Sequence, residues 1–434
     1  MPEKQSEKWN SGFGFLLACI GSAVGMGNIW RFPYVAGENG GGGFLVPFLI
    51  IVASFGFLLM LLEFAIGRKY KSSIVTGMAN ISKKFRWIGA FIAVVAFSIL
   101  SFYLVILGWV LSFFVSNLGQ SFLDFQQYSQ TFFPVVSFVA ILFVTYLIIN
   151  RGIASGIELF NKVGILCLIA ILIPLMVYAT TLPNADKGIA YFLNPDFSKI
   201  TEPNTWSIAL GQAFFSLSLG SGSLLTYSSY LRGKHSMTRS SGIIIFSNTA
   251  ISIIAGLMIF SFVFSYRLDP EAGIPLIFEV LPTIFSNIYI GYIIGSVFFF
   301  LLLIAGLTSA LGMFQVPNAS LQDTFKISNK KSSRIVSLGL LAVGLPSALS
   351  YSPINLNIFG TPFLDGMDYI FGTYGIVISE LLFVVAVTWV VDKTKILEHI
   401  NTNSSLKIPE SAISFIKFGA PVASIVVILT SMFV

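Results

Sequence analysis

The chain has 434 residues, of which 55% are hydrophobic and only 10% are charged. A soluble globular domain carries about 25% charged residues, and a soluble fold of this length does not hide so much apolar surface behind so few charges. The composition therefore predicts an integral membrane protein. No nucleophile–base pair or metal cluster indicates an enzyme, and the net charge of +6 needs no nucleic-acid partner.

The predicted architecture is all-α, with one transmembrane domain over residues 1–434. A helix needs about 20 apolar residues to cross a bilayer, and eleven segments qualify. The fourth and ninth are short, and two re-entrant pieces could also mimic a full span. Numbered in chain order, spans one to eleven are 13–36, 43–66, 88–116, 134–149, 159–180, 206–231, 240–266, 288–321, 334–350, 366–392 and 413–433.

The basic residues predict the orientation, since Lys and Arg accumulate in cytoplasmic loops. With a cytoplasmic N-terminus, all Lys and Arg residues except Arg31, Lys187, Lys199 and Arg267 fall in cytoplasmic segments. An odd number of spans then places the C-terminus outside the cell. We expect a multi-pass protein of the cell membrane.

Glycine clusters interrupt two spans, at 21–28 (GSAVGMGN) and 218–223 (SLGSGS). Gly weakens a helix by about 1 kcal/mol relative to Ala, and unpaired backbone at membrane depth is tolerated only where it lines a cavity. Spans one and six each begin a unit of five spans, at about 10–180 and 205–392, followed by an extra helix at 413–433. Broken helices at matching positions predict the binding site of an inverted-repeat transporter. Packing of small residues between helices is the alternative, and Asn28 and Arg31 on the same helix disfavour it.

Five motifs carry a resemblance to a known family. They are GSAVGMGNIWRFP at 21–33, ENGGG at 38–42, EFAIGR at 63–68, GQAFFSLS at 211–218 and AGLTS at 305–309. In this order they resemble the neurotransmitter:sodium symporter family, and in particular its bacterial amino-acid transporters similar to the leucine transporter. The resemblance implies two inverted five-helix repeats with broken first and sixth helices. It also implies sodium-driven import of an amino acid, without any cofactor apart from ions. The family commonly has twelve spans, and we expect this chain to lack the last one.

The resemblance implies two sodium sites built from oxygen atoms, which sodium as a hard cation prefers. The broken helices supply backbone carbonyls, and Asn, Ser and Thr supply side-chain oxygens. The substrate carboxylate would complete the first site. The implied ligands are Ala23, Asn28, Ser216 and Asn248 for the first site, and Gly21, Val24, Ala305, Thr308 and Ser309 for the second.

The implied substrate is an α-amino acid. Carriers of monoamines have Asp at the position of Gly25, and carriers of GABA have Gly at the position of Met26. Ser221 and Gly312 are small, which favours a large hydrophobic or aromatic substrate; a small polar amino acid held by Ser221 is the alternative. The implied pocket consists of Ser22, Gly25, Met26, Gly27, Ile99, Tyr103, Phe215, Ser216, Ser218, Ser221, Ser309, Gly312 and Met313.

The resemblance also implies two gates. Arg31 within span one needs a partner or water, and Asp368 occupies the pairing position, while Tyr103 and Phe215 would close over the substrate. At the family's N-terminal Arg position this chain has Ser6, so Lys4 or Lys8 would have to supply the charge. The implied inner gate consists of Trp9, Ser229, Tyr230, Gln315 and Asp323.

A chloride site is a further expectation, because chloride would offset the charge that two sodium ions bring into a low-dielectric site. The implied ligands are Gln212, Ser216, Asn248 and Ser252. Phe48 occupies a position where a chloride-binding Tyr is expected, so one hydroxyl donor is missing. Glu63 could supply the balancing negative charge in place of chloride.

Two other classes of protein are weighed against this interpretation. A proton-coupled amino-acid permease could share the fold, but it would tend to carry a titratable group at a sodium-ligand position. A channel needs a continuous pore, which Tyr103 and Phe215 would block.

Overall fold

The computed structural model describes residues 7–233, 235–268, 276–358, 360–404 and 406–430, and these residues are mainly helical. Among them, eight helices and one bent pair are long and apolar enough to cross a membrane. The bent pair is Gly12–Ala23 with Gly27–Glu38, and the eight helices are Gly42–Tyr70, Lys83–Leu118, Phe133–Asn150, Ile153–Thr180, Met237–Ser265, Gly291–Phe325, Phe363–Val390 and Glu410–Thr430.

The other two predicted spans are also helical. Span six consists of Pro203–Ser216 and Ser223–Ser229, with non-helical residues between them. Span nine is the single helix Asn329–Ala348, whose first turns carry all three of its basic residues. Spans four and nine are therefore continuous helices and not re-entrant pieces. The predicted all-α fold with broken spans one and six is confirmed, with span ends moved by a few residues, and residues 431–433 of the last predicted span lie outside the described residues.

Short elements connect the spans. The only strands among the described residues are Asn357–Ile358 and Thr361–Pro362, which pair antiparallel. Between the spans lie the short helices Ile74–Ile81, Phe125–Ser129, Ala185–Leu193, Phe197–Ile200, Ile277–Ser286 and Lys393–Asn401.

Spans three and eight form the centre of the molecule, since they pack against each other over much of their length. Gly306 of span eight contacts Leu107 of span three so closely that an added Cβ would overlap it. Phe113 and Phe299 continue the contact, with ring centroids 5.1 Å apart. The first half of span one packs against span eight, which brings the first break next to this rigid pair.

Candidate functional site

The break in span one is short and is held by a side chain of the same span. The two halves, Gly12–Ala23 and Gly27–Glu38, meet at 49°. Val24 has an extended backbone, with φ −80° and ψ 101°. The N–H of Gly25 donates to Asn28 Oδ1 at 3.1 Å. An amide side chain thus replaces one of the backbone hydrogen bonds that a continuous helix would make.

The carbonyls freed by this break accept hydrogen bonds from hydroxyl groups of other spans. The carbonyl oxygen of Ser22 accepts from Ser218 Oγ at 2.7 Å and from Ser309 Oγ at 3.2 Å. That of Val24 accepts from Thr308 Oγ1 at 3.4 Å. The first break is therefore surrounded by oxygen atoms of spans one, six and eight.

The break in span six is longer and uses left-handed backbone. Ser218, Gly220 and Gly222 have φ of 55°, 75° and 73°. Gly adopts this region without steric cost, and other residues rarely do. A Cβ on Gly220 would lie 2.5 Å from the carbonyl oxygen of Ile376 in span ten. Conformation and close approach both require Gly at position 220.

A buried carboxylate holds the second half of span six. Glu63 of span two is only 2% exposed. Its Oε1 accepts from the N–H of Gly220 at 3.0 Å, and its Oε2 accepts from the N–H of Leu225 at 3.2 Å. Negative charge is favourable at a helix N-terminus, where N–H groups lack partners. The sequence interpretation considered Glu63 only as a balancing charge and missed this structural role.

The residues predicted for the first sodium site lie together in one buried cluster. Asn28 Nδ2 donates to Ser216 Oγ at 3.1 Å, to Asn248 Oδ1 at 2.8 Å and to Ser252 Oγ at 2.8 Å. In this orientation Asn248 Nδ2 donates to Ser216 Oγ at 2.7 Å; with its amide turned over, the Asn248 nitrogen would instead face the carbonyl oxygen of Ala23 at 3.3 Å and would no longer accept from Asn28. Spans one, six and seven thus converge on a set of amide, hydroxyl and carbonyl groups.

The residues predicted for the second sodium site also converge. Thr308 Oγ1 donates to the carbonyl oxygen of Ala305 at 2.9 Å and lies 3.4 Å from that of Val24. A Cβ on Gly21 would lie 3.1 Å from Thr308 Cβ. The Ser309 hydroxyl donates to the carbonyl of Ser22, the residue that follows Gly21.

A cavity of about 30 Å³ lies between the two breaks. Its lining includes nine residues of the predicted pocket, together with Ala23, Asn28 and Ile376. A space of this size holds about one water molecule, so an amino acid would require its walls to move apart. The nine predicted residues are Gly25, Gly27, Ile99, Tyr103, Phe215, Ser218, Ser221, Ser309 and Met313.

The remaining predicted pocket residues lie beside this cavity. Gly312 packs against Ser22, whose Oγ would overlap an added Cβ, so here its small size accommodates Ser22. Ser216 belongs to the cluster around Asn28, and Met26 lines the neighbouring vestibule. The Ser221 hydroxyl faces the cavity, but it donates to the carbonyl oxygen of Ser218 at 2.7 Å.

A larger vestibule of about 450 Å³ borders the cavity. Tyr103 and Phe215 line both spaces, which is the position that the predicted aromatic lid requires. Tyr351, in the segment after span nine, donates to Asp365 at 2.8 Å. Burial and the Asp365 carboxylate beside it raise the pKa of the Tyr351 phenol above its usual value.

The predicted outer-gate residues Arg31 and Asp368 both line the vestibule. Arg31 donates to Gln212 Oε1 at 3.1 Å, and its Cζ lies 4.6 Å from the centre of the Phe215 ring. No ion pair within 4.0 Å joins Arg31 to Asp368 among the described residues. Their direct pairing stays a prediction.

The predicted inner-gate residues form separate contacts on the opposite side of the cavity. Gln315 Nε2 donates to Tyr230 Oη at 2.9 Å, and Trp9 Nε1 donates to the carbonyl oxygen of Tyr227 at 2.9 Å. Asp323 accepts from the N–H of Ser73 at 2.7 Å. Ser229, the last predicted inner-gate residue, bonds to its own helix. Of the N-terminal residues considered for the gate, Lys8 is exposed, and Ser6 and Lys4 lie outside the described residues.

The predicted chloride ligands are only partly together. Ser216, Asn248 and Ser252 surround Asn28. Gln212 instead donates to the carbonyl oxygen of Gly27 at 3.2 Å and accepts from Arg31. The chloride assignment stays a prediction.

Comparison with known proteins decides the family. The model of the sodium:neurotransmitter symporter family matches residues 6–134 and 124–434. The chain belongs to the sodium:neurotransmitter symporter family. It is therefore a multi-span membrane protein of a family of sodium-dependent transporters and not of an enzyme family.

Individual relatives are similar over nearly their whole length. An uncharacterised sodium-dependent transporter of Haemophilus influenzae is 32% identical, over 99% of both chains. One of Methanocaldococcus jannaschii is 34% identical, over 94% of this chain and 87% of the relative. The crystal structure of MhsT in complex with L-phenylalanine is 34% identical, with a TM-score of 0.89 over 98% of this chain and 99% of that one.

Two polar residues of this symporter-family chain lie near the breaks and were missed by the sequence analysis. Asn161 of span five is fully buried, and its Oδ1 touches Gly21 without a hydrogen-bond partner among the described residues. Glu380 of span ten is also fully buried, and neither carboxyl oxygen has such a partner. A single polar residue within an apolar span was the available signal, because such residues are costly in a membrane.

Proposed function

We propose that the protein is a sodium-coupled symporter that imports an amino acid across the cell membrane by alternating access. Two sodium ions would bind at the first break, one in each of the two clusters. The main support is that the carbonyls of Ser22 and Val24 point to hydroxyl groups of spans six and eight. Such sets of neutral oxygen atoms suit a hard monovalent cation.

The first cluster needs one local change to take up sodium. The Asn28 amide nitrogen donates to three oxygen-bearing side chains, and its oxygen accepts from Gly25. Sodium would replace the N–H groups as the positive partner of these oxygens, and the amide would turn its own oxygen toward the ion. The substrate carboxylate would complete the coordination from the adjoining cavity. This links sodium binding to substrate binding.

The proposed substrate is a hydrophobic or aromatic α-amino acid. The similar protein MhsT was crystallised with L-phenylalanine, and Ile99, Tyr103, Phe215 and Met313 give the cavity an apolar wall. A small polar amino acid is the alternative, which the cavity volume of about 30 Å³ and the hydroxyl of Ser221 favour.

The proposed orientation rests on the distribution of Lys and Arg, and the proposed chloride stimulation rests on the neutral residue Ser252. Because Lys and Arg accumulate in cytoplasmic loops, we assign the N-terminus to the cytoplasm and the C-terminus to the outside. The vestibule then opens outward and the Trp9 contact closes the inner side. Chloride stimulation is proposed from Ser252, a neutral residue beside Asn28 and Asn248.

Uptake into proteoliposomes tests the function. A panel of labelled amino acids would be offered with an inward sodium gradient, with potassium in its place, or with a pH gradient alone. We expect uptake of an aromatic or large hydrophobic amino acid only with sodium. Uptake of a small polar amino acid alone would favour the alternative substrate.

A double variant connects uptake to the second cluster. Thr308→Ala with Ser309→Ala removes two hydroxyl groups while leaving the backbone carbonyls, so the sodium concentration for half-maximal uptake should rise or uptake should cease. Ser414→Ala, an exposed hydroxyl on span eleven, is the control and should transport normally. Full uptake in sodium-free buffer driven by a pH gradient would contradict the proposal and indicate proton coupling.

A further inference from the structure

An open groove of about 820 Å³ lies outside the transport site. It is bounded by the short helix Ile74–Ile81 and by spans three, eight and nine. Span three contributes residues between Lys83 and Phe97 to the groove, whereas it contributes Phe102 and later residues to the vestibule. The groove is therefore at the opposite end of span three from the vestibule.

The walls of the groove form a trough along span three. Arg86, Ala90, Val94 and Phe97 line it and recur every three or four residues, so they share one helix face. From Arg86 to Phe97 the helix rises about 16 Å at ~1.5 Å per residue. That is roughly half of the ~30 Å hydrocarbon core of a bilayer. The trough thus has the length of one lipid leaflet.

Small side chains give this trough its depth. Ala90 and Ala93 lie on the span-three side, and Gly339 lies on the span-nine side. A Cβ on Gly339 would lie 3.0 Å from the Phe97 ring. The remaining wall is mostly aliphatic, including Val336 and Leu321; of the hydroxyl-bearing residues that also line it, Ser320 bonds to its own helix. A hydrocarbon chain fits these surroundings, and a polar ligand does not.

One end of the groove is strongly basic. Lys83, Lys84 and Arg86 line it and are exposed. Residues 83–86 carry three positive charges and no acidic residue, and the nearby Asp323 is bonded to the N–H of Ser73. None of the three lining cations forms an ion pair with a carboxylate of the described chain. An anion is therefore attracted to this end.

Trp87 lies between the basic end and the apolar trough. It lines the groove and is 57% exposed. Trp side chains concentrate at the level of lipid headgroups, because the ring is apolar and its N–H is polar. The order of charge, indole and hydrocarbon trough along the groove matches that of headgroup and acyl chain in a phospholipid.

We propose that this groove binds an anionic phospholipid, with its phosphate at Lys83, Lys84 and Arg86 and one acyl chain along the trough. Basic pockets between spans on the cytoplasmic side are suited to anionic headgroups. A zwitterionic lipid carries a second, cationic group that the same three residues repel. The site is independent of the sodium and substrate positions.

Fluorescence quenching by lipids with brominated acyl chains tests this site in the full-length protein. Phosphatidylglycerol and phosphatidylcholine with identical brominated chains would be titrated into purified protein in detergent. The signal of Trp87 is the difference between wild type and Trp87→Phe. We expect phosphatidylglycerol to quench Trp87 at a concentration at least several-fold below that of phosphatidylcholine, since each cation near an anionic headgroup contributes about fivefold in affinity.

Two pairs of variants separate the headgroup and chain contacts. Lys83→Gln, Lys84→Gln and Arg86→Gln together should weaken phosphatidylglycerol quenching by roughly tenfold to a hundredfold. The same change in net charge at Lys330, Lys331 and Arg334, which do not line the groove, should have little effect. Ala90→Phe should fill the trough and reduce quenching by both lipids, while Ala170→Phe, on the exposed face of span five, should not.

Three results would overturn the proposal. The first is equal quenching of Trp87 by the two lipids. The second is equal loss of lipid preference in both triple variants. The third is full displacement of phosphatidylglycerol by inorganic phosphate alone, which would indicate an anion site without an acyl-chain contact.

Discussion

The two broken spans are held open in different ways. In span one, neutral groups satisfy the break: Asn28 Oδ1 accepts from Gly25, and hydroxyls of Ser218 and Ser309 donate to Ser22. In span six, the Glu63 carboxylate bonds to two backbone N–H groups, and three residues adopt left-handed backbone. One break presents carbonyl oxygens to neighbouring spans, and the other presents N–H groups to a fixed anion.

This difference indicates separate roles for the two breaks. Neutral hydroxyl and amide donors can be replaced by a cation, because the carbonyls they leave then become its ligands. A buried carboxylate bonded to a helix N-terminus is not easily replaced, since hydrogen bonds to charged groups contribute about 1.5–3 kcal/mol each. We therefore expect the first break to change with ion binding and the sixth to keep its geometry through Glu63.

A severe loss of uptake is expected for Glu63→Gln. A Gln side chain keeps one acceptor oxygen but turns an NH₂ group toward the second backbone N–H, so at least one charge-assisted bond is lost, a cost of about 3 kcal/mol. Uptake should be nearly abolished, and the apparent melting temperature should fall. Uptake would be measured in proteoliposomes that contain equal amounts of protein, and the melting temperature would be measured on the purified protein. Normal uptake by Glu63→Gln would contradict the role of the carboxylate at the sixth break.

Replacing one Gly of each break by Ala compares how well the two breaks tolerate an added side-chain atom. In Gly220→Ala the new Cβ would lie 2.5 Å from a backbone carbonyl and force a left-handed residue. In Gly25→Ala it would meet only side-chain atoms, 2.9 Å from Ser309 Cβ and 3.1 Å from Tyr103 Oη.

The first of these variants should therefore lose folded protein, measured by size-exclusion chromatography. The second should remain folded and show a raised KM for its amino acid, measured by uptake. The reverse order of severity would refute the assignment of rigidity to the sixth break.

A smaller effect is expected at Ser252, which accepts from Asn28 beside the first break. If chloride supplies the balancing charge there, Ser252→Glu should make uptake independent of chloride, because the new carboxylate replaces the anion. Uptake by wild type and variant would be compared in chloride and gluconate, with Ser252→Gln as the neutral control. Identical wild-type rates in the two salts would instead favour Glu63 as the source of negative charge.

The smallest effect is expected for Glu380→Gln, although this residue is as buried as Glu63. Both oxygens of Glu380 lack hydrogen-bond partners among the described residues. Glu380 lies close enough to Glu63 for the two charges to repel, and two neighbouring buried carboxyl groups do not both ionise. Glu380 is therefore expected to be neutral, and Gln is a neutral side chain of similar shape. Uptake should stay within about twofold of wild type. A loss as severe as that of Glu63→Gln would show that Glu380 carries charge.

The sequence predicted the spans because each one is a long apolar run, and it predicted both breaks because Gly is so unfavourable there. Nine of the predicted pocket residues line the cavity between the breaks, since motif positions transfer with the fold, and their role in substrate binding stays a prediction. The sequence could not predict that Glu63 bonds to span six, because that contact joins residues 157 positions apart. Nor could it predict that Gly312 accommodates Ser22. A Gly in the sequence can either enlarge a cavity or make room for a neighbouring side chain, and the sequence does not distinguish the two.

The predicted inner gate also contains contacts between distant residues that the sequence could not predict. Trp9, predicted only as an inner-gate residue, donates to the carbonyl oxygen of Tyr227 in the second half of span six, and its role in the gate stays a prediction. The anchoring of this segment by Glu158, which accepts from the N–H of Asn10 at 2.7 Å, was not foreseen. A carboxylate at the start of span five carries no sequence signal for a distant backbone partner.

The most direct test of the account is equilibrium binding of labelled L-phenylalanine to purified protein as sodium is raised at constant ionic strength. We predict no binding in potassium and a cooperative rise with sodium, because two ions and the substrate carboxylate share the first break. Thr308→Ala with Ser309→Ala should move the rise to higher sodium, and Ser414→Ala should not. Equal phenylalanine binding in sodium and potassium would contradict the central claim that the first break binds the coupling ions.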